Sequence, residues 1–168
     1  MSLAQKRPSG ATGKDPSRRS TGTRPGDFSF FGSVANTGPV EVKLYASTSA
    51  RDADYTAELV DVHPDGYAVN LCDGIIRGRY RESTTQQKLL QPGEVYEFTI
   101  GPWPTNNVFL RGHRIRVGVA SSNFPRFDRN PNTGGKFGEG FEMETAHQTV
   151  YHDSGRQSHV VLPVILPG

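Results

Sequence analysis

The chain has 168 residues, 34% of them hydrophobic, with 19 glycines, 12 prolines and a single cysteine. This suits one domain plus a tail, Cys72 alone excludes an internal disulfide, and no run of about 18 apolar residues is present to span a membrane. The formal charge of +2 is uneven: Lys6, Arg7, Lys14, Arg18, Arg19 and Arg24 stand against Asp15 alone, so residues 1–25 carry +5 and the remainder −3, which leaves the folded part no positive field for nucleic acid.

Residues 1–27 are Ser, Gly, Thr, Pro, Lys and Arg with almost no apolar content. Such a segment buries too little surface to offset its ordering entropy, so it reads as a disordered basic tail or linker, with the folded domain over 28–168. No apolar stretch follows the basic start as a secretory signal would require, which favours a cytoplasmic location. Phe28, Phe30 and Phe31 suggest a short edge segment. Val40, Val42, Leu44 and Ala46 alternate with Glu41, Lys43, Tyr45 and Ser47, the period of two of a half-buried strand. Tyr55, Ala57 and Leu59 open the next strand, and His63-Pro64-Asp65-Gly66 reverses it into Tyr67, Val69 and Leu71, predicting a hairpin over 55–71.

Asp73-Gly74 predicts another turn, into a strand over 75–81. Pro92-Gly93 opens a strand over 95–100, Trp103 sits between two prolines, and further strands are expected at 108–110, 114–121, 142–151 and 160–165. In 114–121, Ile115, Val117, Val119 and Ser121 share one face. No helical stripe competes. Eight or nine short strands at this spacing predict an all-β, jelly-roll (galactose-binding-like) antiparallel β-sandwich.

Catalytic and metal-binding motifs are sparse in the sequence. No G-x-S-x-G pentapeptide occurs, so the strained nucleophile turn of an α/β-hydrolase is missing from the sequence. Tyr151-His152-Asp153-Ser154 places three polar groups side by side, but neighbours on a strand point to opposite faces and form no relay. His147, His152 and Asp153 match no common zinc spacing, and neither a metal nor a cofactor is expected. Asp52, Asp54, Asp61 and Asp65 lack the spacing of a calcium loop and read as solvated turns. Cys72 reads as a small buried hydrophobe. Trp103 has two readings, a cover for the core or a stacking surface for sugar.

The loop after the 114–121 strand is unusual. Asn123, Phe124, Pro125, Arg126, Phe127, Asp128, Arg129 and Asn130 combine two aromatics, three ionisable groups and a proline, where a plain connection would be Gly, Ser and Asn. Something packs on these residues, either their own domain or a partner.

Four segments carry a family resemblance: GPVEVKLYASTSARDADYTAELVDVHPDG (38–66), IIRGRYRES (75–83), LLQPGEVYEFTIGPWPTNNVFLRGHRIRVGVASSNFPRFDRNPNTGG (89–135) and TVYHDSGRQSHVVLPVI (149–165). They resemble the C-terminal β-sandwich domain of X-Pro dipeptidyl-peptidases and of related serine hydrolases of the cocaine esterase and cephalosporin-acylase type. The resemblance implies an accessory domain that packs on an α/β-hydrolase domain, present in cis or in trans, and helps to wall its entrance. The Ser–Asp–His triad belongs to that other domain, so no catalytic residue carries over and the chain alone is expected to be inactive. Asn123, Phe124, Arg126, Phe127, Asp128 and Arg129 would form the docking loop, the phenylalanines as anchors and the charged groups as hydrogen-bonding partners. A homo-oligomer is compatible with this reading, and the alternative is a free-standing carbohydrate-binding or interaction module around Trp103.

Overall fold

A computed structural model of the chain describes residues 27–29, 32–136, 139 and 142–165. Of the tail expected over 1–27, residues 1–26 lie outside the described residues, as do Phe30 and Phe31, whereas Asp27 belongs to a strand. In chain order the strands are β1 (Asp27–Ser29), β2 (Val34–Thr48), β3 (Asp54–Val62), β4 (Ala68–Arg77), β5 (Tyr96–Phe109), β6 (Arg114–Ala120), β7 (Gln148–Val150), β8 (His152–Asp153), β9 (Arg156–Gln157), β10 (His159–Val161) and β11 (Val164–Ile165). A single 3-10 turn, Gly78–Tyr80, is the only helical element among the described residues.

Every strand pair is antiparallel. One sheet has the order β1-β6-β3-β4. The other is built on β2, which pairs along its length with β5. The opposite edge of β2 is taken in turn by β7 at Ala46–Thr48, β10 at Glu41–Lys43 and β11 at Ala35–Asn36. The C-terminal segment therefore runs back along β2 in three short pieces, with the β8–β9 hairpin looped out between the first two.

The alternation in β2 holds. Val40, Val42, Leu44 and Ala46 are buried, and they meet Phe98, Ile100 and Phe109 of β5, Tyr55, Ala57 and Leu59 of β3, and Ile115 of β6. Each large apolar side chain removed from water contributes about 1.5–3 kcal/mol, so this inter-sheet core is the main favourable term. Leu90, in the long connection between β4 and β5, closes one side of it; Leu90 N–H donates to the Arg51 carbonyl at 2.8 Å.

Two expected strand breaks are absent, for the same reason. Asp73-Gly74 does not turn. Both residues stay in β4, opposite Glu58 and Ala57, and β4 runs on to Arg77. Gly74 is required there by packing, because a Cβ at this position would lie 2.0 Å from Trp103 Nε1 and 2.3 Å from Trp103 Cε2. The indole of β5 thus lies flat on the β4 backbone across the sandwich. Likewise 95–100, Trp103 and 108–110 are parts of one strand, β5, which absorbs its irregularity as a bulge between the Val40 and Val42 pairs. Gly101 sits in that bulge with φ +121°, and a side chain there would meet the Val40 carbonyl oxygen at 2.7 Å. The expected strand over 142–151 shrinks to β7, and 160–165 is split into β10 and β11 around Leu162 and Pro163. Pro163 cannot donate to the ladder, but its carbonyl accepts from Thr37 N–H at 3.1 Å. Cys72 lies within β4, half-buried against the core, and its thiol pKa is raised by burial and then by the neighbouring Asp73 charge.

Gly74→Ala forces the indole of Trp103 or the β4 backbone to move. It is expected to destabilise the chain by about 1–3 kcal/mol as an overpacking change, read as a lower urea midpoint at unchanged slope. The Tyr55 hydroxyl is held in the core, where burial and then the nearby Tyr151 push its pKa upward. The unfolded chain releases this proton near the ordinary phenol value of about 10, while the folded chain retains it. Stability present below that pH is therefore lost as pH rises beyond it. Tyr55→Phe is expected to flatten that alkaline decline in a series of denaturant midpoints taken from neutral pH upward.

Candidate functional site

The loop that follows β6 is fastened at both ends to acidic residues of the β1-β6-β3-β4 sheet and its approach. At its start, Asp73 of β4 accepts from Asn123 Nδ2 at 3.1 Å and pairs with Arg126 Nε at 2.7 Å. A tight turn follows, with Phe127 N–H donating to the Asn123 carbonyl at 3.1 Å. At its far end, Asn130 is buried, and its amide bridges two carboxylates. Nδ2 donates to Asp52 at 3.0 Å and to Asp54 at 2.8 Å, while Oδ1 accepts from Asn132 N–H at 2.9 Å.

Those two carboxylates form the centre of a buried ionic network. Asp52 and Asp54 are 0% and 2% exposed. Asp54 faces Arg77 across the β3–β4 ladder and receives a two-pronged hydrogen bond from Nε at 2.7 Å and Nη2 at 2.8 Å. Arg79, two residues on in the 3-10 turn, donates its backbone N–H and its Nε to Asp52 at 3.0 and 2.7 Å. Arg79 Nη1 reaches the Gln87 side chain at 3.1 Å and the Gly135 carbonyl at 2.9 Å. Burial disfavours the Arg77 cation, but hydrogen bonding and charge attraction from Asp54, followed by the charges of Asp52 and Asp128, more than offset it and raise its pKa. Two carboxylates and two guanidiniums balance, so the site is charge-neutral at its base and every acceptor is engaged.

The reading of Asp52, Asp54, Asp61 and Asp65 as solvated turns is corrected here. Asp52, Asp54 and Asp61 are all buried. Only Asp65 behaves as a turn residue, accepting from Tyr67 N–H at 2.9 Å. Arginines and a histidine distant in sequence supply the counter-charge, which a local pattern does not show. Asn130, offered in sequence only as the end of a docking loop, is the residue that ties the loop to this base.

Above the network, the predicted docking residues separate. Phe124 is 57% exposed, and Arg129 lies over its ring at 4.5 Å. Arg126 and Asp128 are exposed as well. Phe127 and Asn123 are half-buried, with Arg126 over the Phe127 ring at 5.5 Å. Beside them lies a cavity of about 230 Å³ lined by Arg77, Arg79, Asp128, Arg129, Asn130 and Lys136 among others. Trp103 is half-buried, with its indole against Gly74. Tyr96 carries Arg81 over its ring at 4.3 Å and donates its hydroxyl proton to Glu94 at 2.7 Å.

Among the described residues no serine hydroxyl is hydrogen-bonded to a histidine ring. Asp153 binds its own hairpin partner Arg156 at 2.8 Å, which holds its pKa below the usual carboxylate range. His147, His152 and Asp153 do not converge as a ligand set; among the described residues the three that do are Asp61, His63 and His113.

Comparison with known proteins agrees with the fold. Residues 33–161 match the model of the X-Pro dipeptidyl-peptidase C-terminal non-catalytic domain. Over 134 residues the chain is 52% identical to the cocaine esterase of Rhodococcus sp. (strain MB1 Bresler), covering 79% of this chain but 23% of that protein. An α-amino acid ester hydrolase superposes with TM-score 0.74 at 33% identity, over 84% of this chain and 26% of that one. An aminopeptidase from a marine sediment Thaumarchaeota archaeon gives TM-score 0.77 at 32% identity, over 88% and 27%. The chain thus spans about a quarter of the length of these relatives.

Removing one partner from a buried ion pair leaves the other charge uncompensated. Asp52→Ala is expected to cost about 3–5 kcal/mol by removing the carboxylate that pairs with the buried Arg79. Asn130→Ala, which leaves both ion pairs in place but removes the amide donor that bridges their carboxylates, should cost about 1–3 kcal/mol. Urea midpoints of the two variants check the order, and protease nicking between 121 and 135 should accelerate in the second.

Proposed function

Since this chain belongs to the family of X-Pro dipeptidyl-peptidase C-terminal non-catalytic domains, we propose that it works as the accessory domain of a serine hydrolase, packed in cis on an α/β-hydrolase domain whose entrance it helps to shape. The parent activity in this reading is cleavage of an ester or amide bond, as a dipeptidyl-peptidase, esterase or acylase. The single observation that carries the proposal is the loop 123–130. Its base is immobilised by Asp73, Asp52 and Asp54, yet it presents Phe124, Arg126, Asp128 and Arg129 outward.

A loop ordered in advance loses little entropy on docking. An exposed aromatic with an arginine stacked on it is the kind of anchor that dominates interfaces, and the arginine adds a charge-assisted donor for a carboxylate or carbonyl across the boundary. The adjoining cavity between Arg129 and Lys136 has room for an acidic side chain from the partner domain. The carbohydrate reading has weaker support, because Trp103 already spends its indole on Gly74 and Tyr96 is covered by Arg81.

The test is a domain exchange. Put in place of the matching segment of the Rhodococcus cocaine esterase, this chain is expected to give a folded, active hydrolase. Phe124→Ala combined with Arg129→Ala should weaken the interdomain association by about 2–4 kcal/mol, seen as separate unfolding of the two parts. The isolated chain should not hydrolyse simple esters or an X-Pro anilide. Turnover by the isolated chain that a serine-directed inhibitor abolishes would overturn the proposal, as would unchanged association in the double variant.

A further inference from the structure

At the end of the sandwich away from the acidic network, a second group of polar side chains faces inward. Leu59 and Asp61 fall on the face of β3 that continues the core stripe of Tyr55 and Ala57, and His63 follows just beyond the end of the strand. Asp61 pairs in register with Ile115, and Val62 with Arg114, so one step further along His63 stands opposite His113. The two imidazoles accordingly lie 4.3 Å apart between ring centroids, 37° from parallel. His113 Nδ1 meets the Asp61 carboxylate at 2.8 and 3.1 Å. Asp61 and His113 are 6% and 9% exposed, and His63 is half-exposed at the mouth.

Asp61 and His113 by themselves hold the β5–β6 turn to the hairpin, and this pairing leaves the His63 ring no structural task. The His63 backbone is fixed by the hairpin, its N–H donating to the Tyr67 carbonyl at 2.8 Å. No hydrogen bond holds its ring among the described residues; it stacks on His113 and on the edge of Tyr67 at 5.3 Å, with the Asp61 carboxylate near. A second imidazole brought against a carboxylate–imidazole pair is a poor way to build a core and a good way to build a cation site.

We propose that Asp61, His63 and His113 bind one divalent first-row transition ion of the zinc type. One ligand atom from each residue lies within 4.8 Å of the other two. Bonds of about 2.0–2.2 Å to nitrogen and oxygen need ligand atoms about 3.0–3.5 Å apart. Asp61 Oδ2 and His113 Nδ1, 3.1 Å apart, already have that spacing once the ion replaces the proton between them, and a rotation of the half-exposed His63 ring closes the set. Two imidazoles and a carboxylate suit zinc, cobalt, nickel or copper and disfavour calcium or magnesium, which take oxygen ligands. Three protein ligands leave the remaining coordination to water on the solvent side. The ion would cross-link the β3–β4 hairpin to the β5–β6 turn, a strap at the open end of the sandwich. It is independent of the docking surface, which lies on other loops.

The experiment uses the full, untagged chain, stripped with a chelator and titrated calorimetrically with zinc chloride at neutral pH. One ion per chain is expected, with a higher thermal midpoint in its presence, and cobalt substitution should give the visible absorption of a low-symmetry nitrogen–oxygen site. His63→Gln leaves the Asp61–His113 pair untouched and should weaken binding by at least about a hundredfold, since outer-shell changes alone cost 10–100-fold. His159→Gln, on β10 and outside the cluster, should bind like the parent chain. Absence of saturable 1:1 zinc binding to the parent chain overturns the proposal whatever the variants do. Undiminished binding by His63→Gln overturns it equally.

Discussion

Two carboxylates with no access to water set the terms for one end of this domain. Asp52 and Asp54 are buried between the strands and the long loops, where an uncompensated negative charge costs several kcal/mol or more. Their neutralisation recruits Arg77 from the neighbouring strand, Arg79 from the 3-10 turn and Asn130 from a loop more than seventy residues away. The geometry leaves little slack. Both oxygens of each carboxylate are taken, and Asn130 divides its two amide hydrogens between them. Three irregular segments that would otherwise wander are thereby held at one point.

That constraint links stability to function. A loop carrying exposed Phe124 and Arg129 would, without a fixed base, be a mobile chain that pays its ordering entropy on every encounter. Anchored through Asp73 at one end and Asn130 at the other, it is already shaped for the docking proposed above. The family placement gives the partner a natural identity, since the relatives carry this domain as about a quarter of a larger hydrolase. In the proposed reading the accessory sandwich contributes rigidity and surface, and bond-breaking falls to the neighbouring domain.

The opposite end solves a similar problem differently. Asp61 and His113 are buried where the strands of the β1-β6-β3-β4 sheet run out. Ladder hydrogen bonds cannot serve side chains, so polar groups brought in at a sandwich end must satisfy one another or an ion. The hydrophobic cluster between these ends includes Tyr55, whose hydroxyl bonds the Ser47 carbonyl at 3.4 Å, and Asn36 of β2 is a further fully buried polar side chain. Each end thus carries a buried acid of β3 or its approach, and each acid is met by a residue from a distant turn or loop.

Strand faces and hairpin reversal were legible in sequence because they depend on spacing within a few residues. The period of two in Val40–Ala46 and in Ile115–Val117, and the Pro-Asp-Gly turn after His63, follow from backbone geometry that any chain must obey. The family resemblance, too, was carried by the residues themselves. What a linear pattern did not decide was which distant group lies opposite. Asp73-Gly74 looks like a turn until Trp103 is seen lying on Gly74 from the other sheet. Asp52 and Asp54 look solvated until Arg77, Arg79 and Asn130 close over them. His63 and His113 are fifty residues apart and meet only through the β3–β6 register. Local spacing determined the face on which each side chain stands; its burial and its partner were settled by the packing of two sheets and their loops, because charge compensation and close contact act through space and not along the chain.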